Sequence, residues 1–240
     1  MTQGFEIWEA DRLDGRLAPY DWPFAADADG VVAEHWRAQT RLNPRIYDGT
    51  VLMCRPPRAA VEEDGERVLH LEFFEARFSR FLAWRNFGWP DDGVRDCFSM
   101  PALRSSDGAF LLGEMAAGHS QPGKIYFPCG TPDCDDVRDG RVDLAGSLMR
   151  ELAEETGIRI AEKDLSPSWS VVFCGAQIAC IRIIDWPEPA AALAATVERF
   201  IASEKAPELA RVHLISRRAE LRNPNVAAFV TGFLERELPE

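Results

Sequence analysis

The sequence predicts an α/β protein with a mixed sheet. Short apolar or alternating segments, typical of strands, are interleaved with helical patterns along the whole chain. Several neighbouring strand segments are joined by turn signals such as Asp107-Gly108, which favour antiparallel hairpins. The chain has 240 residues and a hydrophobic content of 46%, enough for a sizeable core at the upper range for one domain. Hairpins inside an alternating pattern indicate a sheet with both parallel and antiparallel pairs.

The first part of the chain alternates between predicted strands and short helices. Strands are predicted at residues 5–8, 50–54 and 68–74, and helices at 31–39 and 78–84. Up to about residue 30 the rest is rich in Asp, Gly and Pro, which predicts irregular chain. Asp64-Gly65 is a turn signal that predicts antiparallel pairing of the strands on either side. We interpret residues 1–95 as an amino-terminal lobe on a core of residues 96–240, or as part of one continuous domain.

The second part contains the longer predicted elements. Strands are predicted at residues 98–103, 109–115, 124–127, 169–173, 176–184 and 211–216, and helices at 144–156, 190–203 and 225–238. Leu144, Leu148 and Leu152 recur every four residues, so the first of these helices has one apolar face. Pro224 is expected in the first turn of the terminal helix, where a missing N–H costs nothing.

The charge of the chain excludes some classes of partner. Its 39 acidic and 27 basic residues give a net charge of −12, and no run of basic residues occurs. Non-specific binding to nucleic acid or to an anionic membrane requires basic patches, so neither partner is expected. No apolar run approaches the ~18 residues of a membrane span, and the first residues do not resemble a secretory signal. We therefore expect a cytoplasmic protein with reduced cysteines; the oligomeric state stays open, a homodimer included.

One acidic cluster points to chemistry. Glu151, Glu154 and Glu155 stand at positions i, i+3 and i+4, which lie about 5–6 Å apart on one face of a helix. Their mutual repulsion destabilises the helix unless a cation lies among them, and oxygen-only ligands favour Mg²⁺ or Mn²⁺. The alternative is a solvated acidic face. Arg150 is placed to hold Glu154 by a charge-assisted hydrogen bond, or is a surface arginine, and Gly157 is expected to end the helix.

This segment resembles a known family. Residues 150–158 read Arg-Glu-Leu-Ala-Glu-Glu-Thr-Gly-Ile and match every fixed position in the second half of the Nudix box, Arg-Glu-U-x-Glu-Glu-x-Gly-U, where U is bulky and aliphatic. The first half departs from the family. Without a gap, the family's early Gly falls on Asp136 and its early Glu on Val142, and Asp143 is a candidate substitute for that Glu. Residues 127–130, Phe-Pro-Cys-Gly, are similar to the family's Pro-Gly-Gly segment.

The resemblance implies a fold, a reaction and a set of residues. A Nudix-type protein is an α/β/α sandwich that hydrolyses a nucleoside diphosphate linked to another group. The implied metal ligands for Mg²⁺ or Mn²⁺ are Glu151, Glu154 and Glu155, and the implied catalytic residues are Glu151, Glu154 and Arg150. Gly130 is expected to let the loop backbone approach the metal or the substrate phosphate, an ordinary turn glycine being the alternative. An acidic insertion at residues 133–140 is expected to lengthen this loop.

The general base and the substrate contacts carry no motif. Glu204 and Glu208 are candidates for a late base, with plain loop glutamates as the alternative, and His119 is a weaker candidate. Tyr126 is a candidate substrate-binding residue. Phe127, Phe98 and Trp36 are further stacking candidates unless they belong to the core.

Several functions remain open at this level. Residues 36–50 loosely resemble the amino-terminal lobe of Nudix members acting on UDP-sugars, which favours UDP-sugars, with ADP-ribose next. A small nucleotide is expected and not capped RNA, because the chain has no basic tract. The alternatives are a Nudix-fold nucleotide sensor without catalysis and an unrelated acidic interaction protein. A zinc site at Cys129 and Cys134 is not expected, because no second Cys or His pair lies nearby at the usual spacing.

Overall fold

The computed structural model describes residues 4–24 and 28–240. Its strands are β1 Glu6–Ala10, β2 Arg12–Leu17, β3 Thr50–Cys54, β4 Arg58–Val61, β5 Arg67–Arg77, β6 Asp96–Arg104, β7 Phe110–Met115, β8 Ile125–Tyr126, β9 Val137–Arg138, β10 Arg141–Val142, β11 Trp169–Cys174, β12 Gln177–Asp185 and β13 Leu209–Ile215. Its helices are α1 Asp29–Leu42, α2 Phe78–Asn86, α3 Leu144–Thr156, α4 Ala190–Ser203 and α5 Ala228–Glu237. The predicted irregular amino-terminal segment includes residues 1–3 and 25–27, which lie outside the described residues.

The strands form two sheets. The core sheet has the order β1-β11-β12-β6-β7-β13, and β8 pairs with β7. In this sheet β6 and β12 are parallel, whereas β11 and β12 form an antiparallel hairpin. The second sheet has the order β3-β5-β2-β10-β9, and β4 pairs with β5. The predicted class, α/β with mixed sheets, is confirmed.

Helices cover both faces of the core sheet. Alternate residues of β6 point to opposite faces, so Cys97 belongs to one apolar cluster and Phe98 to another. Leu148 of α3 and Val197 of α4 pack in the first cluster, and Phe233 of α5 packs in the second. The core sheet is therefore the middle layer of an α/β/α arrangement, and α3 is held against it by its leucine face.

Strands from both sides of the predicted boundary at residue 95 share sheets. β1 pairs with β11 in the core sheet, and β10 pairs with β2 in the second sheet. A third apolar cluster, with Trp22 and Trp84 among its members, lies around α2 and β3. The division at residue 95 remains a prediction. None of the helices in the described part of the chain has the length and apolar character that a membrane crossing requires.

Three expectations about the elements were wrong. The segment after residue 8 contains β2. The acidic insertion is not only loop, because it contains a 3₁₀ turn at Cys134–Asp136 and the strand β9, which pairs with β10 directly after the insertion. The terminal helix begins at Ala228, so Pro224 lies before it and not in its first turn. The reason is a competing contact: the backbone of residues 225–227 hydrogen-bonds to Ile125, which keeps it out of the helix.

Candidate functional site

The acidic helix α3 is defined at both ends by local contacts. The Asp143 carboxylate accepts a hydrogen bond from the Gly146 N–H at 2.8 Å and caps the first turn. Gly157 ends the helix with a φ of 74°, a left-handed conformation that favours glycine, as the sequence predicted. Asp143, the candidate substitute for the family's early glutamate, thus serves the helix end in this structure.

The three glutamates of α3 have different surroundings. Glu155 is 4% exposed and Glu151 is 8% exposed. The side chain of Glu154 is 60% exposed. The predicted single acidic face is therefore two buried carboxylates beside the core and a third at the surface.

The loop before α3 lies directly on both buried carboxylates. The Cys129 N–H donates a hydrogen bond of 2.8 Å to Glu155 Oε1, while the buried Glu155 Oε2 has no hydrogen-bond partner among the described residues. A Cβ atom added at Gly130 would lie 2.2 Å from Glu151 Oε1. Only glycine allows this approach without moving Glu151. The approach of Gly130 to a metal or a phosphate stays a prediction.

Replacing Gly130 with alanine should lower kcat for the nucleotide hydrolysis that the resemblance to the Nudix family implies. The new methyl group must displace the Glu151 carboxylate, which has a flexible side chain and can shift. We expect a loss of roughly tenfold, short of the ~10²-fold that a 1 Å misplacement can cause. The matched control is Gly30→Ala on α1, where an added Cβ meets nothing within 4 Å. The kcat values of the two variants are measured by steady-state kinetics. Equal kcat values for Gly130→Ala and Gly30→Ala would show that the contact between Gly130 and Glu151 has no role in catalysis.

Arg150 joins the acidic groups into a network. It donates to Glu151 Oε1 at 2.7 Å and to Glu154 Oε2 at 3.3 Å, the partner that the sequence predicted. It also donates to Asp136 Oδ2 at 3.0 Å. The buried Asp136 also accepts a hydrogen bond from the Ser147 hydroxyl at 3.1 Å. Sequence reasoning missed Asp136 because it lies in the divergent insertion, and no local spacing relates it to Arg150.

Burial and like charge make the glutamates costly to ionise. The pKa of Glu151 is raised to about 7, because burial and the charges of Glu154 and Glu208 together outweigh the opposing effect of Arg150. Burial, followed by the charges of Glu151 and Glu208, raises the pKa of Glu155 well above its usual range. A cation among these groups would offset both causes. Burial and Glu155 also raise the pKa of the Cys129 thiol, which does not favour a zinc thiolate.

The donor set fits a hard divalent cation, although the side chains are not arranged as a complete site. Within residues 4–24 and 28–240, no three His, Cys, Asp or Glu side chains form a group that could hold a metal ion. Two observations nevertheless fit Mg²⁺ or Mn²⁺: the available ligands are carboxylate oxygens, and Glu155 Oε2 is buried without a partner. Glu151 and Glu155 are the residues that would hold the ion. The predicted ligand Glu154 lies outward, beside Arg150.

A cavity of about 520 Å³ adjoins this loop. Its wall includes residues from the stretches 45–51, 118–121, 126–133 and 206–208, so both the amino-terminal region and the loop before α3 contribute. Glu208 lines the cavity, and Glu204 is not among the lining residues. Desolvation by nearby protein atoms, followed by the charge of Glu154, raises the pKa of Glu208. Much of the residue is nevertheless exposed. Of the two candidate bases, the structure thus brings Glu208 to the site.

The remaining candidates differ in position. His119 lines the cavity, and burial lowers its pKa to about 4, so its imidazole is neutral at pH 7. Tyr126 and Phe98 also line the cavity but are largely buried, whereas Phe127 is fully buried in the core. Trp36 packs edge to face on Phe78 and is not among the lining residues.

The sequence analysis missed three residues of the cavity wall that can contact a substrate. Arg45 and Arg85 line the cavity and bring positive charge to its wall. Tyr47 also lines it and is mostly exposed, so its ring face is open to a ligand. The exposed Arg45, the part-buried Arg85 and the loop residue Tyr47 have no sequence signature, so only the folded chain identifies them.

The chain was compared with known families and structures. No family model matches it, and no curated protein matches it. Among the solved structures that do, a MutT protein from Methanosarcina mazei Go1 is 17% identical over 59% of this chain and 93% of that chain, with a TM-score of 0.38. A Nudix hydrolase from M. smegmatis is 15% identical over 58% and 80%, with a TM-score of 0.35. Another from Nitrosomonas europaea is 15% identical over 60% and 91%, with a TM-score of 0.34.

Nudix hydrolases are thus among the solved structures to which this chain is similar. At TM-scores this low the likeness carries no information about individual residues. The roles assigned below depend on the side chains of this chain alone.

Proposed function

We propose that this protein is a Nudix-type hydrolase that uses Mg²⁺ or Mn²⁺ to cleave a nucleoside diphosphate linked to another group. One observation carries the proposal. Glu151 and Glu155 are buried side by side under the backbone of Cys129 and Gly130, and Glu155 Oε2 has no partner among the described residues. Two buried carboxylates that repel each other destabilise the fold, and a bound cation offsets this repulsion.

Each residue of the site has a chemical role in this proposal. Glu151 and Glu155 hold the metal ion, which when bound neutralises phosphate oxygens and activates a water molecule. Arg150 keeps Glu151 in place through its 2.7 Å hydrogen bond and connects it to Asp136. Glu208 is the base that takes a proton from the attacking water, because its raised pKa brings its basicity closer to neutral pH.

The cavity supports a small anionic substrate. Arg45 and Arg85 are cationic groups in its wall, and guanidinium groups bind phosphate oxygens in a bidentate manner. Together with a metal ion they are enough for a diphosphate, whereas a nucleic acid chain needs a longer basic tract. The substrate class that we propose is a UDP-sugar or ADP-ribose.

The substrate proposal is tested by comparing kcat/KM for UDP-glucose, ADP-ribose and a capped oligonucleotide in Mg²⁺ buffer. We expect kcat/KM for at least one of the two small substrates to exceed kcat/KM for the oligonucleotide. A tenfold or greater preference for the oligonucleotide, roughly 1.4 kcal/mol of transition-state discrimination, would overturn the substrate class. Binding of the small nucleotides without any product release would instead identify a sensor module.

A further inference from the structure

A buried carboxylate in the cavity wall has no part in the proposed metal site. Asp96, the first residue of β6, lines the cavity and is 4% exposed. Its Oδ2 accepts a hydrogen bond of 3.1 Å from Gln177 Nε2. Its Oδ1 is buried and has no partner among the described residues. Buried polar atoms are nearly always satisfied in folded proteins, so Oδ1 calls for an explanation.

The sheet register places Asp96 and Gln177 together. β6 and β12 run parallel, and Asp96 is the direct register partner of Gln177 at the start of both strands. The Asp96 N–H also donates to the Ala176 carbonyl at 2.9 Å. The side-chain pair is therefore built into the most extended strand pairing of the core sheet, and its geometry is rigid.

The charge near Asp96 comes from Arg85. Arg85 lines the same cavity, lies over the Phe81 ring at 5.4 Å and donates to the Ser120 carbonyl at 3.3 Å. Burial raises the pKa of Asp96 to about 6, while Gln177 and Arg85 oppose the rise. Asp96 is thus mostly ionised above pH 7 and acts only as a hydrogen-bond acceptor. A ligand that satisfies Oδ1 must bring a donor.

We propose that Asp96 is a specificity-determining residue that accepts a hydrogen bond, through Oδ1, from a hydroxyl or amino group of the bound substrate. This inference rests on the proposed function, because it assigns a substrate contact in the same cavity. Gln177 holds the carboxylate in place, and Arg85 provides positive charge beside it. A donor on the substrate fits this place better than an apolar group, which would leave Oδ1 unsatisfied.

The test compares the wild-type protein with Asp96→Leu and Asp96→Asn. The leucine side chain is larger than that of aspartate but has the same branching at Cγ, and it removes the acceptor, so KM should rise tenfold or more while kcat changes less than threefold. The asparagine variant retains an acceptor oxygen, so its KM should lie between the KM values of the wild-type and leucine proteins. The control is Asp14→Asn, a buried aspartate in the second sheet that pairs with Arg16 and Arg141. It should lower the melting temperature and leave KM unchanged.

The probes separate the two kinds of donor. They are ADP-ribose, its analogue with purine in place of adenine, which lacks the amino group, and its analogue with a terminal deoxyribose, which lacks a hydroxyl. The analogue that lacks the group contacting Asp96 should bind the wild-type and Asp96→Leu proteins with equal affinity. The other two probes should bind the wild-type protein more tightly than Asp96→Leu. Dissociation constants from calorimetry in buffer without divalent cations give the same comparison independently of hydrolysis.

The outcomes distinguish the two proposals. Binding without hydrolysis in Mg²⁺ would overturn the proposed function, and the effect of Asp96→Leu on the dissociation constant would still decide this inference. Equal KM and equal dissociation constants in the wild-type and Asp96→Leu proteins would overturn the role of Asp96. Absence of binding of both UDP-glucose and ADP-ribose by the wild-type protein in Mg²⁺ buffer would overturn both proposals.

Discussion

Removing divalent cations with EDTA should abolish hydrolysis by this protein. Without a cation, the buried Glu151 and Glu155 repel a phosphate group and cannot polarise it. Metal ions contribute several kcal/mol to transition-state stabilisation in such reactions, so we expect a loss of ~10³-fold or more. The measurement is product release from the best small substrate, before and after chelation, followed by addition of excess Mg²⁺ or Mn²⁺.

Two results complete this test. Restoration of the rate by Mg²⁺ shows that chelation did not damage the protein. Mg²⁺ should also raise the melting temperature, because a ligand that binds only the folded state stabilises it, here by relieving repulsion between carboxylates. Activity that survives EDTA undiminished would contradict the metal-dependent mechanism.

Glu155→Gln should lower kcat by ~10²-fold or more at saturating Mg²⁺, the scale of losing one preorganised electrostatic contact. Glu155 is the more buried of the two carboxylates, and its Oε1 is already fixed by the Cys129 N–H. The glutamine side chain keeps an oxygen that can accept this hydrogen bond, so the local geometry should survive. The substitution also removes one member of a like-charged group, so the melting temperature should stay the same or rise.

The control for this variant is Glu198→Gln. Glu198 is an exposed glutamate on the neighbouring helix α4 and lies outside the proposed site. Its loss should leave kcat unchanged. A Glu155→Gln protein with near wild-type kcat would show that Glu155 is not a ligand, and a collapse of its melting temperature would show that its role is structural.

The elements that the sequence predicted best are those that depend on local patterns. The strand Thr50–Cys54 and the helices Leu144–Thr156 and Ala190–Ser203 have the predicted bounds. Each has a strong local signal: an apolar strand run, a leucine repeat with a glycine stop, or an alanine-rich helical segment. These signals act within a few residues, so a single sequence contains them completely.

The elements that the sequence missed depend on distant partners. β2 has a polar composition, and it forms because β5 and β10 pair with it from far along the chain. The strand β9 lies in the insertion, whose sequence predicts an acidic loop, and it forms by pairing with β10. The start of α5 is set by the pairing of residues 225–227 with Ile125. Strand pairing is decided by tertiary packing, and intrinsic preference is a weak guide to it.

The sequence by itself determined the helix that carries Glu151, Glu154 and Glu155, its glycine stop and the α/β class, because these follow from periodicity and spacing along one segment. It did not determine which of the three glutamates are buried. That was decided by the loop of Cys129 and Gly130, which folds onto Glu151 and Glu155 and leaves Glu154 at the surface.

The tertiary structure alone also placed Glu208 in the wall of the cavity, linked Asp136 to Arg150, and placed Asp96 and Arg85 in the same cavity. The physical reason is that burial, pKa and hydrogen-bond satisfaction depend on neighbours from distant segments. These properties of a residue are therefore set only when distant segments pack together in the folded chain.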